Sequence, residues 1–122
     1  MSRFAPMEGW KGHFCKWKAG ERDRAILMGF RATEMAVRAL LAQHERSSMT
    51  LLEAAHIADY IRGQQEMIEQ VLEHKQLRRA QLLNGKRQKL RLKFLSLVQH
   101  SHLPLEILKE RCRTGSGPAA LG

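Results

Sequence analysis

Eight basic side chains, Lys75, Arg78, Arg79, Lys86, Arg87, Lys89, Arg91 and Lys93, are the residues whose type and spacing point most directly to a chemistry. No acidic residue lies between His74 and Leu105 to offset them. Taking these eight from the 21 basic residues leaves 13 against 12 acidic ones, so nearly all of the net charge of +9 sits in one block. The chemistry of such a block is anion binding. Lys and Arg neutralise phosphates, with an affinity that falls steeply with salt, and Arg can grip a phosphate with two parallel donors. Without an anionic partner, a concentrated positive surface costs self-repulsion.

The block points to backbone contact rather than base reading. Recognition of single strands uses aromatic platforms for stacking, and Phe94 is the one aromatic in the block. Its position relative to Leu90, Leu97 and Val98 fits the apolar face of a helix instead. The expectation is a small basic helical protein that binds DNA or RNA mainly through backbone phosphates, without strong sequence readout. The alternative is a helical protein-interaction module, such as an adaptor, chaperone or assembly subunit, whose basic surface meets an acidic protein. Basic amphipathic segments also match membrane-surface and calmodulin-target patterns. Lys86-Arg87-Gln88-Lys89 has the composition of a short nuclear-import signal.

A second constellation is Trp10, Phe14 and Trp17, with Lys11, Lys16 and Lys18 around them. Their spacing would place the three rings on one helical face, while Gly9, Gly12 and Gly20 oppose a stable helix. They are expected to fold back on the bundle, with partner binding as the weaker reading.

Other patterns are thin. His100 and His102, or His13 with Cys15, do not assemble into zinc-ligand spacing, so no metal or other cofactor is expected. Cys15 among lysines is a weak nucleophile signal, and Glu66 with Glu69 reads as a solvated face. There is no Gly-rich phosphate loop, H-E-x-x-H or G-x-S-x-G motif, so the chain does not read as an enzyme. Two distant cysteines, Cys15 and Cys112, do not make a disulfide framework. No leader-like segment and no run of about 20 apolar residues is visible. An intracellular location, in the cytoplasm or a nucleus, is expected.

The elements that must position these groups are helical. The 122 residues suit one domain, with an N-terminal segment over 1–20, a helical domain over 21–113 and a small Gly/Pro-rich tail over 114–122 that is expected to be disordered. Ile26, Phe30, Val37, Leu40 and Leu41 predict a helix over 21–46. Thr50-Leu51-Leu52-Glu53 is a capping box. It predicts a long helix over 51–83, with Gly63 as a weak point and Asn84-Gly85 as its stop. A helix running through Gly85 is the alternative. In the long helix the acids come early and Lys75, Arg78 and Arg79 come late, as the helix dipole favours. Lys86, Arg87 and Lys89 would then crowd the positive first turn of the next helix, and the apolar stripe would turn basic as its far end left the bundle.

Lys89 to Phe94 alternates like a strand, but its helix-forming residues and the absence of a pairing strand favour a helix over 86–101. Pro104 suits a first helical position before a short helix to about Arg113. Thr33 and Gln65 interrupt the stripes, which suggests a partly wet or partner-facing surface. The fold expected is all-α, with three to four helices built around a long antiparallel hairpin. Long stripes that one short helix cannot cover make a homodimer the natural extension.

Overall fold

The computed structural model describes residues 19–113. Trp10, Phe14 and Trp17, Cys15, and the tail over 114–122 lie outside the described residues. Four helices follow in order: α1 (Ala19–Gln43), α2 (Leu51–Glu73), α3 (Leu77–His100) and α4 (Leu105–Arg111). The all-α bundle expected from periodicity is what forms. α1 and α2 make the antiparallel hairpin, and α3 returns along both.

The hairpin turn is set locally. Thr50 Oγ1 accepts from the Glu53 amide at 3.2 Å, and Glu53 Oε1 accepts from the Thr50 amide at 2.8 Å. Two donors that the helix cannot satisfy by itself are thereby used. His44 is buried beneath this cap, its Nε2 3.1 Å from Glu53 Oε2 but off hydrogen-bond alignment. The two Thr50 contacts, backbone first, hold the Glu53 carboxyl below the ordinary glutamate range.

The long helix predicted over 51–83 is in fact two. α2 ends at Glu73, and Lys75 takes the left-handed conformation, φ 58°. The Lys75 amide donates to Leu72 O at 2.8 Å and the Gln76 amide to Val71 O at 3.4 Å. This is a Schellman ending with lysine where glycine is usual. Such a conformation costs a non-glycine residue roughly 1–2 kcal/mol. Long-range contacts hold the turn. Gln76 Nε2 donates to Asp23 Oδ2 of α1, and His74 Nδ1 lies 4.0 Å from the same carboxylate.

α3 then runs straight through Asn84-Gly85, so the predicted stop is not used. Glycine inside a helix costs about 1 kcal/mol, which the burial of Leu83, Leu90 and Phe94 on either side outweighs. The 86–101 segment is helical. α3 ends in a second Schellman turn, with His102 at φ 58°, its amide on Gln99 O and the Leu103 amide on Val98 O. Pro104 serves as the cap of α4 rather than its first residue.

The core is in two parts. One cluster joins Val37 and Leu41 of α1, Ile57 and Ile61 of α2, Leu90, Phe94 and Val98 of α3, and Leu108 and Cys112 at α4. The other joins Ile26 and Phe30 with Met67, Ile68 and Val71, and with Ala80 and Leu83. Each wholly buried large apolar side chain contributes about 1.5–3 kcal/mol. Between the clusters every long helix places polar residues inside: Thr33 and Glu34 on α1, Gln64 and Gln65 on α2, and Arg87 on α3. Thr33 and Gln65 are therefore interior rather than wet. Thr33 Oγ1 donates to Gly29 O at 2.9 Å, whereas neither amide atom of Gln64 has a hydrogen-bond partner among the described residues. The stripe that motivated a dimer is covered within the chain by α3, a full-length third helix.

Candidate functional site

The eight cations of the block are divided by the direction in which α3 turns them. The helix has no acidic residue along its length. Arg78, Lys86, Lys89 and Lys93 are exposed and fall within an arc of about 80° at 3.6 residues per turn. From Arg78 to Lys93 this face extends about 22 Å along the axis. None of the four lies within ion-pair distance of a carboxylate among the described residues.

Lys75 is exposed in the α2–α3 turn, and Arg79 is exposed at the start of α3, donating from Nη1 to Gln76 Oε1 at 2.8 Å. The dipole rationale holds for Lys75, which follows directly on the C-terminus of α2, but not for Arg78 and Arg79, because the helix they were to terminate has already ended. Arg78 and Arg79 stand instead in the first turn of α3. Gln76 caps that turn without a side-chain hydrogen bond, and no acid is present there. A cation at this positive end is unfavourable by about 0.3–1 kcal/mol at low salt. Lys86, Arg87 and Lys89, conversely, lie within the helix and not in a first turn. The far end of the stripe does not leave the bundle, since the break at Lys75 resets the register.

Arg87 is the exception in the block. It is 4% exposed. Its Nε donates to Ile61 O at 3.0 Å, and its Nη2 donates to Cys112 O at 2.7 Å. Burial pulls the guanidinium below the ordinary arginine value, partly opposed by Cys112 nearby. The side chain ties α3 to α2 and to the end of α4 and is not presented to an external anion. Arg91 is half-buried, with Nη1 donating to Gln88 Oε1 at 3.5 Å.

The sequence did carry the signal for Arg87. Counting back from Val98, Phe94 and Leu90 at helical spacing reaches Arg87, then Leu83 and Ala80. Two outward residues also escaped notice. Leu82 and Leu92 are 66% and 64% exposed and stand among the outward cations.

The other candidates form no site among the described residues. No group of three or more His, Cys, Asp or Glu stands together to hold a metal. His100 Nδ1 contacts Ser96 O at 2.7 Å, within its own helix. Cys112 is free and buried, its Sγ 3.2 Å from Lys109 O. No described helix is long and apolar enough to cross a membrane. Comparison with known proteins found no matching family model, no matching curated protein and no matching solved structure.

Proposed function

We propose that this protein binds nucleic acid through its backbone phosphates, using the outward face of α3. The observation that carries this reading is the row Arg78, Lys86, Lys89 and Lys93: exposed, unpaired with carboxylates among the described residues, and on a helix without an acid. Lys75 and Arg79 extend the row toward the α2–α3 turn. The backbone of α3 holds these cations in one row, and the counterions released from the phosphates supply the driving force. Nothing on this face offers an aromatic platform, so the binding is expected to tolerate sequence.

Titration of a labelled duplex against salt tests this. With five or six phosphates contacted, the log–log slope should be roughly −4 to −5. Reversing Lys86, Lys89 and Lys93 to Glu should weaken binding about a hundredfold at low salt and flatten the slope by roughly three. Binding that survives the reversal unchanged rejects the reading. A second reading, a helical protein-interaction module, draws support from Leu82 and Leu92. Their exposed side chains among the cations give a protein partner apolar contact that phosphates do not use.

A further inference from the structure

We propose that the outward face of α1 is a docking surface for an acidic amphipathic helix of a partner protein. Three rows run side by side along this face, each repeating every seven residues. Arg24, Arg31 and Arg38 form one row, Met28 and Met35 the next, and Ala32 and Ala39 the third. A seven-residue repeat drifts only about 20° around a helix, so each row stays nearly straight. Met28 is 65% exposed and Met35 62%. The three arginines and two alanines are exposed as well.

Isolated exposed apolar residues are ordinary. Two methionines in one straight row, with small residues along one side, make an apolar strip against which a helix can lie. Ala32 and Ala39 allow a second backbone to approach closely. The unbranched methionines fill irregular gaps against an incoming apolar stripe.

The arginine row selects the sign of the occupant. Arg38 pairs with Glu34 of its own helix at 3.4 Å. Arg24 and Arg31 have no carboxylate within ion-pair distance among the described residues. A second copy of the chain is disfavoured, because it would bring two arginine rows together on molecules that each carry +9. Nucleic acid would engage the arginines but leave both methionines without an apolar counterpart. A helix with leucines at helical spacing and glutamates along one flank satisfies both rows.

The test uses the full chain and two synthetic three-heptad peptides with the same leucine stripe, one with glutamates on its flank and one with lysines. The measurement is peptide affinity together with the methyl resonances of Met28 and Met35. The glutamate peptide should bind, shift both methyls, and bind at least about tenfold tighter than the lysine peptide. It should do so equally in the chain reversed at Lys86, Lys89 and Lys93. Met28→Glu with Met35→Glu should weaken the glutamate peptide about tenfold or more, with thermal unfolding unchanged because both sites face solvent. Arg24→Glu with Arg31→Glu should invert the preference between the peptides. Equal affinity for the two peptides, or unmoved methyls, overturns the proposal. So does loss of duplex binding on reversing Arg24 and Arg31, which would make this a phosphate face. Dimerisation abolished by the methionine substitutions would assign the face to a second copy and equally refute it.

Discussion

Arg87 and Lys86 are sequence neighbours on one helix, and they are used in opposite ways. Arg87 turns inward and spends two donors on the carbonyls of Ile61 and Cys112. Lys86 turns outward, and with Arg78, Lys89 and Lys93 it is left without an internal carboxylate among the described residues. The difference separates charge that the fold consumes from charge that it displays. A count of basic residues cannot make that separation, but direction around the helix axis can. Arginine suits the inward role because its planar fork reaches two acceptors at once. Lysine suits the outward one, keeping a hydrated head on a flexible stem.

The largest effect should come from the consumed charge. Arg87→Ala removes both hydrogen bonds, leaves the Cys112 carbonyl unpaired in the interior and opens a void. It should lower unfolding stability by about 2–4 kcal/mol. Lys86→Ala, measured by the same denaturant titration, should stay within about 0.5 kcal/mol. Equal losses would erase the distinction between the two directions. The outcome should invert in duplex binding, where Lys86→Ala weakens affinity and Arg87→Ala, at temperatures where it stays folded, does not.

A smaller effect of opposite sign is expected at Lys75. Lys75→Gly relieves the left-handed backbone while removing one displayed cation. It should raise stability by about 0.5–1 kcal/mol and reduce the salt slope of duplex binding by roughly one. A loss of stability would mean that the lysine side chain itself supports the turn.

The smallest effect concerns a consumed charge of the other sign. Glu53 has its carboxyl lowered chiefly by the Thr50 amide, so its ionised form favours the folded state. That stabilisation is present above the ordinary glutamate range and fades as pH falls through the lower folded value. The melting-temperature difference between the native chain and Glu53→Ala should therefore be widest near neutrality and narrow in acid. A difference that is constant with pH would contradict the assignment.

How much of this was legible in the sequence follows the distance over which each contact acts. The Thr50–Glu53 cap was readable because its partners lie three residues apart. The helical character of α1 was readable from apolar spacing alone, and that of 86–101 from its helix-forming residues and the lack of a strand to pair with. The break at Lys75 was not, because its support comes from Asp23, some fifty residues earlier in the chain, and because lysine is an ordinary helix former. That one missed turn carried the other errors with it. It made Asn84-Gly85 look like an ending and gave Arg78 and Arg79 the wrong pole of a dipole. Of the candidate site, the block and its lack of acids were visible, whereas the choice of which cations face out required the register of α3.

The buried layer of Thr33, Gln64, Gln65 and Arg87 has a consequence for assembly of the bundle. Three helices with broadly similar apolar stripes could slide past one another by a turn and still bury much the same area. A slide of α3 by one turn, about 5.4 Å, would carry Arg87 off the Ile61 carbonyl and set its guanidinium against one apolar cluster or the other. A charge stranded in that way costs several kcal/mol, whereas the correct alignment leaves it bonded at both ends. The layer therefore works as a notch in an otherwise smooth track, at which only one alignment of the three helices locks.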